Sequence, residues 1–155
     1  MTVKAIIASQ YREKVNKAAS KLGDINLPPE GWICTARKAL GMSAAALARR
    51  LGKTRALVSN AEKAELDGGV TLKTMQAMAE AMNCRFVYAI IPHDSVETIL
   101  EDRAKQRAKK IVEAGGHHMA LEAQSLSRKQ IDFEIERLAS NMLKNQPSDF
   151  WNDKA

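Results

Sequence analysis

The residues of this chain best suited to specific chemistry are an arginine and an asparagine five positions apart, Arg55 and Asn60. Asparagine can form two hydrogen bonds with adenine, and arginine can form two with the O6 and N7 atoms of guanine. If a helix begins at Arg55, its outer face also carries Ala56, Ser59 and Lys63. We therefore predict that this helix enters the major groove of DNA, with its N-terminal residues nearest the base edges.

Two further helices are predicted to position this one, in the stretch WICTARKALGMSAAALARRLGKTRALVSNAEKAE from Trp32 to Glu65. Gly41 ends the first helix, and Gly52 ends the second. Ser43 and Thr54 are good N-caps for the second and third helices. Only about three residues separate these two helices, which is the spacing of a helix-turn-helix.

The remaining polar groups of the motif are predicted to meet the DNA backbone. Ser43, Lys53, Lys63 and the N-terminus of the second helix are candidates for phosphate contacts, and Thr54 completes the DNA-binding set. Apolar spacing assigns the following residues to the buried sides: Ile33, Arg37, Leu40, Ala45, Leu47, Ala48, Leu51, Leu57, Val58 and Ala61.

The positive charge of the chain is concentrated on this motif. The whole sequence has 24 Lys and Arg against 18 Asp and Glu. Residues 32–63 hold seven basic residues and one acidic residue, whereas residues 95–155 hold ten of each. Such a local surplus is typical of a surface that binds phosphates. The alternative is that the basic residues only keep a helix face solvated.

These residues resemble the Cro/repressor, or XRE, type of helix-turn-helix. In that family an arginine of the first helix pairs with a glutamate near the end of the recognition helix, and Arg37 and Glu62 stand at those places. The resemblance implies a structural ion pair; an ordinary surface pair is the alternative. Ala56 departs from the family, which often has glutamine there, so recognition is expected to depend more on Arg55 and Asn60.

The fold is predicted to be mainly α, in three segments. Residues 1–26 form an amphipathic helix with Ile6, Ile7, Val15, Ala18 and Leu22 roughly on one side. Residues 27–92 hold the helix-turn-helix, a further helix capped by Thr71 and a strand. The methionines of that helix indicate core packing, with an adaptable partner groove as the alternative. Residues 93–155 form a helical extension, with one helix from Ser95 to about Ala114 and another from Ser127.

The one good strand pattern is CRFVYAIIP at residues 84–92, which Pro92 ends. A lone strand needs a partner, and the simplest is the same strand of a second copy. This predicts a two-fold homodimer on a palindromic DNA site, joined through Arg85, Phe86, Val87, Tyr88, Ala89 and Ile90. Pairing with a strand at Val3 to Ile7 is the alternative.

Other features exclude several classes of protein. Cys34 and Cys84 lack metal-site spacing and are interpreted as buried thiols of a reducing cytosol. No signal peptide or membrane span is expected, so the protein is predicted to be cytoplasmic and nucleoid-associated.

Adjacent His117 and His118 favour a loop or a helix cap over a metal site. No catalytic constellation is recognisable, so no enzyme activity and no cofactor are predicted. Phe150, followed by Trp151, is either an exposed binding anchor or docked onto its own domain.

Over nearly its full length the chain resembles the family called mobile mystery protein A. The resemblance rests on PPEGWICTARKALGMS, ALARRLG and GGVTLKTMQAMAEAMNCRFVYAIIP, with HHMALEAQ and the terminal FWND. The family comprises XRE-type regulators found beside a Fic-domain partner, and Fic enzymes typically transfer AMP to a hydroxyl. The resemblance therefore implies an antitoxin that neutralises a Fic toxin and represses their shared operon. A stand-alone phage-like repressor and an adaptor that no longer reads DNA remain as alternatives.

Many Fic inhibitors carry Ser/Thr-x-x-x-Glu followed by Gly or Asn on a helix, and the glutamate pairs with an arginine near the ATP site. Ser9 and Glu13 have this spacing, although Lys14 departs from the pattern. The resemblance thus implies Glu13 as the inhibitory residue. Two alternatives stay open: a solvated face for Ser9 and Glu13, and inhibition by residues 95–155 covering the toxin.

Overall fold

The computed structural model describes residues 2–121 and 127–153, with residues 116–121 described by their backbone alone. Within these ranges the chain forms seven helices: α1 (Val3–Leu22), α2 (Trp32–Ala39), α3 (Ala44–Leu51), α4 (Arg55–Asp67), α5 (Leu72–Ala81), α6 (Val96–Leu121) and α7 (Arg128–Lys144). Contacts divide the chain into two compact units. The central unit comprises Asp24–Ala89, and the flanking unit combines the segment before residue 24 with the segment from Ile90 onward.

The central unit encloses an apolar core to which all four of its helices contribute. Its buried members are Ile33, Leu47, Ala48, Val58, Ala61, Met75, Met78 and Met82. The three methionines of this set therefore fill the core of the unit, as expected for flexible side chains that adapt to irregular space.

Side-chain caps and left-handed residues fix the ends of these helices. The hydroxyl of Ser43 accepts a hydrogen bond from the amide of Ala46 at 3.0 Å, and Thr54 accepts one from Leu57 at 3.2 Å. Gly52 ends α3 with φ of +67°, a backbone conformation that costs little without a Cβ atom. The sequence predicted both caps and this ending.

Two leucines assigned to buried sides are exposed instead, and so is a third at the start of α5. Leu40, Leu57 and Leu72 expose 53%, 40% and 49% of their surface. Leu40 follows the last residue of α2, where the helical stripe no longer applies. Leu57 lies about 100° around α4 from the buried Val58, because successive helical residues are separated by that angle. Leu72 is the first residue of α5.

The flanking unit has a smaller core, formed mainly by α6 packed on α7. Ala104, Ala108, Ala139 and Phe150 are buried there, with Leu100, Ile135, Leu138 and Met142 packed around them. Alanines at the contact let two helices approach closely, because the distance between helix axes depends on the side chains between them. The predicted end of α6 at about Ala114 was wrong, since the helix continues through Gly115 to Leu121. A glycine inside a helix costs only about 1 kcal/mol, which neighbouring helical residues can offset.

Helix α1 was predicted as amphipathic, with apolar residues roughly on one side, and none of its residues is buried. Ile6 and Ile7 expose 45% and 46% of their surface. The attachment to α6 is polar: Asn16 accepts a hydrogen bond from the amide of Val96 at 2.9 Å and donates one to Glu97 at 2.8 Å. An asparagine of α1 therefore caps the start of α6.

The predicted strand is not present in the part of the chain that the structure describes. Residues 84–92 have no regular secondary structure, and the alternative partner segment, Val3 to Ile7, lies in α1. A strand is defined by hydrogen bonds to a neighbouring strand, and no such neighbour occurs among the described residues. Phe86 still packs against the central core, and its ring stacks on Tyr88 at 5.8 Å.

The two cysteines differ in burial. Cys34 is buried as expected, but Cys84 is exposed because it lies beyond the end of α5 in the irregular segment. His117 and His118 fall in the stretch whose side chains lie outside the description. No helix within residues 2–121 and 127–153 has the length and apolar content needed to cross a membrane.

Candidate nucleic-acid interface

The outer face of α4 brings together the residues predicted to read bases. Arg55, Ala56, Asn60 and Lys63 are exposed, and Ser59 is half-buried. Val58 and Ala61, on the opposite face, are buried in the core shared with α3. Apolar packing on one face of α4 therefore holds the helix in place, and its polar face stays accessible to a groove of DNA.

The N-terminal end of α4 gathers the predicted contacts most closely. Lys53 and Thr54 immediately precede the helix and are exposed, and Arg55 is its first residue. Ser43 is exposed at the start of α3, where its side chain is occupied by capping. The positive ends of both helix dipoles add to the charge of the lysine and arginine side chains.

An ion pair joins α2 to α4. The Nε atom of Arg37 lies 2.7 Å from Glu62 Oε1, and its Nη2 atom lies 3.3 Å from Oε2. A third donor, Nη1, bonds to the carbonyl of Met42 at 3.0 Å. The side chains are only 13% and 17% exposed, and the hydrogen bond to Glu62 raises the pKa of Arg37. The pair holds α2, the following turn and α4 in one arrangement.

A second acid of α4 closes the start of α2, and sequence reasoning missed it. The carboxylate of Glu65 accepts hydrogen bonds from the amides of Trp32 at 2.6 Å and Ile33 at 2.9 Å. Gly31 precedes α2 with φ of +83°, and a Cβ there would come within 2.9 Å of that carboxylate. The available signal was the absence of a capping side chain before Trp32, since an uncapped helix start needs an acceptor from elsewhere.

A small cluster around Cys34 engages another basic residue of the motif. Lys38 pairs with Glu30 at 2.7 Å, and the thiol of Cys34 donates to the same carboxylate at 3.2 Å. The hydrogen bond from Lys38 lowers the pKa of Glu30, whereas burial raises the pKa of Cys34. The thiol is thus kept protonated, which suits a structural role better than a reactive one.

Arg50 also belongs to the scaffold. Its Nε atom donates to the carbonyl of Ala81 at the end of α5, and its Nη2 atom lies 3.5 Å from Asn83 Oδ1. Asn83 has φ of +57°, so the arginine stabilises a left-handed turn there. Of the seven basic residues in 32–63, four are exposed and make neither an ion pair nor a side-chain hydrogen bond among the described residues: Arg49, Lys53, Arg55 and Lys63.

The residues predicted for toxin inhibition lie elsewhere, in the flanking unit. Ser9 and Glu13 are exposed on α1, one helical turn apart. Their neighbours Val3, Ile6, Ile7 and Tyr11 are exposed large apolar residues of the same helix.

Of the two C-terminal aromatic residues, Phe150 is docked on its own unit, whereas Trp151 is 53% exposed. Phe150 is 1% exposed, and Trp151 packs edge-on against it with ring centroids 5.0 Å apart. Arg103 of α6 donates to the carbonyls of Phe150 at 2.8 Å and Asn152 at 2.9 Å. Arg107 holds Asp149 at 3.1 Å. Of the two alternatives for Phe150, docking is the correct one.

Residues 35–88 match the family described as Helix-turn-helix, a span that runs from α2 to the segment after α5. No curated protein and no solved structure matches the chain. The central unit thus contains a helix-turn-helix domain of the XRE type, as the sequence predicted, and this domain supports a DNA-binding transcriptional regulator.

Proposed function

We propose that this protein is an antitoxin that represses its own operon as a homodimer on a palindromic site and neutralises a Fic-domain toxin in the cytoplasm. The observation that carries the DNA-binding part is the exposed face of α4, where Arg55 and Asn60 flank Ala56 within a helix-turn-helix domain. The antitoxin part rests on the resemblance to mobile mystery protein A.

The distribution of charge supports binding to duplex DNA. Lys53, Arg55, Lys63 and Arg49 are exposed on α3, α4 and the turn between them. Groups in these places can contact phosphates on both sides of the groove that α4 enters, and such contacts set the orientation of the helix. Base contacts by Arg55 and Asn60 then supply the sequence preference.

The homodimer is supported by the apolar side chains that follow α5. Val87, Tyr88 and Ile90 expose 54%, 64% and 93% of their surface. Covering these groups with the equivalent residues of a second copy would remove apolar surface from water and create a two-fold axis. A two-fold axis would present two copies of α4 to two half-sites of a palindrome.

Toxin binding is assigned to the flanking unit, which lies outside the span of the helix-turn-helix match. Exposed apolar residues on α1 provide contact area, and Glu13 on that helix provides a carboxylate for an arginine near the ATP site of the toxin. The alternative, in which residues 95–155 cover the toxin, uses the same unit.

The first test is co-expression of this protein with the Fic protein encoded beside it, followed by purification through a tag on the toxin. The complex is then mixed with DNA from the promoter of the operon. Co-purification together with a retarded DNA band is the expected result. DNA retardation without a protein complex would favour a stand-alone repressor, and a complex without specific retardation would favour an adaptor.

The inhibitory role of Glu13 is tested by replacement with glycine, with Gln10→Gly as the matched control. Both positions are exposed on α1, and both changes cost about 1 kcal/mol of helix stability. We expect Glu13→Gly to restore AMP transfer by the toxin while the complex still co-purifies, and Gln10→Gly to leave inhibition intact. Full inhibition by Glu13→Gly would refute this role and leave covering by residues 95–155.

A further inference from the structure

Leu57 is an apolar side chain in the part of α4 where base contacts are expected. It is the third residue of the helix, and 40% of its surface is exposed. A single exposed leucine is ordinary on a protein surface. The position of this one is informative, because the preceding residue, Ala56, is also exposed, so that two consecutive apolar residues, here called the apolar step, are open near the start of the helix.

Along the axis of α4, this step lies between the two base-reading side chains. Arg55 precedes Ala56, and Asn60 follows Leu57 by three positions, which puts Leu57 and Asn60 next to each other on the helix surface. Val58 and Ala61 face the core, so the backbone cannot rotate to bury Leu57 without exposing them.

The backbone at this point is held firmly. The amide of Leu57 donates to the hydroxyl of Thr54 at 3.2 Å, and its hydrogen bond to the carbonyl of Thr54 measures 3.1 Å. These bonds fix the first turn of α4, so that the Cβ atoms of Ala56 and Leu57 have set positions relative to Arg55. A fixed apolar group suits recognition of a feature with a fixed place in the groove.

The major groove of unmodified DNA offers one apolar feature among its base edges, the C5 methyl group of thymine. The exposed Lys53, Arg55 and Lys63 around the step favour a polyanionic partner rather than an apolar one. Contact of Ala56 and Leu57 with a methyl group inside a DNA groove satisfies both conditions.

We propose that Ala56 and Leu57 form a contact surface for a thymine methyl group in each half-site, and that this contact is a determinant of sequence specificity. The inference rests on the proposed DNA-binding function and names what that site recognises. Alanine at position 56 leaves room for the methyl group, because it carries no amide that would compete for the base edge. Thymine is expected beside the base pairs read by Arg55 and Asn60.

The test uses full-length protein and duplex DNA enriched by it from a random library. Each thymine of the enriched duplex is replaced singly by deoxyuridine, which removes the methyl group and preserves base pairing. Fluorescence anisotropy at fixed salt gives Kd for every duplex. Removing one well-buried methyl should weaken binding by about four-fold, and we expect this at one or two positions in each half-site.

The same duplexes are then measured with three variants. Leu57→Ala should bind the thymine and deoxyuridine duplexes with nearly equal Kd, whereas Leu57→Met should retain the preference for thymine. Leu66→Ala is the matched control, because Leu66 lies on the same helix, is 59% exposed and is more than two turns away. It should behave like the unaltered protein, and circular dichroism verifies that each variant folds.

The outcomes separate this inference from the function on which it rests. Failure to enrich any duplex would overturn the proposed DNA-binding function and the thymine contact with it. Specific binding with no deoxyuridine effect would overturn the thymine contact alone. An equal deoxyuridine effect in the unaltered protein and in Leu57→Ala would likewise exclude Leu57 as the contact.

Discussion

The helices of the two units pack through different kinds of side chain. In the central unit, four helices meet around large side chains such as Ile33, Leu47 and Met78. In the flanking unit, α6 and α7 meet mainly through alanines, and one large residue, Phe150, is brought in from the C-terminal segment. The central core fixes several helices at once, whereas the flanking core depends on a docked segment near the chain end.

The polar interactions of the two units also differ in which elements they connect. In the central unit, Glu62 and Glu65 reach from α4 to α2, so two acids of the recognition helix fix the scaffold behind it. In the flanking unit, Arg103 and Arg107 reach from α6 to the segment after α7. The comparison shows why the outward face of α4 can be shaped by function: the core residues and the two glutamates that hold the helix are not among the residues predicted to contact DNA.

The largest expected effect comes from deleting a core side chain in each unit. Leu47→Ala should destabilise the central unit by about 2–5 kcal/mol, and Phe150→Ala the flanking unit by about 3–5 kcal/mol. Each unit contains one tryptophan, Trp32 or Trp151, so fluorescence of single-tryptophan variants in urea reports on each separately. The comparison fails if either deletion shifts both transitions equally.

Ion pairs should differ between the units according to burial. Glu62→Gln should destabilise the central unit by about 1–3 kcal/mol, because the mostly buried Arg37 loses charge-assisted hydrogen bonds. Glu134→Gln should have little effect, because the Arg137–Glu134 pair at 2.8 Å is half exposed. Urea denaturation of both variants measures the difference. Equal losses would show that burial does not separate these pairs.

DNA affinity should depend on the central unit. Arg55→Ala and Asn60→Ala should each weaken specific binding by about 1–3 kcal/mol, measured by anisotropy with the enriched duplex. Arg128→Ala removes the same charge from the flanking unit, where the side chain is 90% exposed, and should change Kd little. A loss with Arg128→Ala as large as that with Arg55→Ala would place part of the DNA surface in the flanking unit.

The smallest expected effect is a dependence on pH below about 4. The hydrogen bond from Arg107 lowers the pKa of Asp149 below its usual value of 3.8. Because the folded pKa is lowered, the pair stabilises the flanking unit at neutral pH, and this contribution is lost as the pH falls through that pKa. Thermal unfolding followed by Trp151 should show a weaker acid dependence in Asp149→Asn. An unchanged acid dependence would exclude Asp149 as a contributor.

Much of the central unit could be predicted because its signals are local. Each of these signals lies within a few residues of the feature it predicts: the caps by Ser43 and Thr54, the left-handed Gly52, and the helical spacing of Val58 and Ala61. The site predictions for Arg55 and Asn60 follow from the same periodicity. Leu57 escaped prediction because an apolar residue beside a buried stripe is ambiguous until the packing partners of the helix are known.

The flanking unit was harder to predict because its contacts join distant parts of the sequence. Asn16 caps α6 across 80 positions, and Arg103 binds the carbonyl of Phe150 across 47. Neither contact has a local pattern. The prediction of a strand at 84–91 was wrong for a related reason. β-branched and aromatic residues favour an extended backbone, but a strand also requires a neighbouring strand.

The sequence alone determined the three helices α2, α3 and α4, the caps of α3 and α4, the concentration of positive charge and the identity of the side chains on the outer face of α4. These depend on backbone propensities and periodicity, which act over one or two turns. Only the tertiary structure decided that Glu65 closes α2, that Phe150 is buried and that Leu57 is exposed. Burial and long-range hydrogen bonds depend on which surfaces meet, and that is settled by the packing of the whole unit.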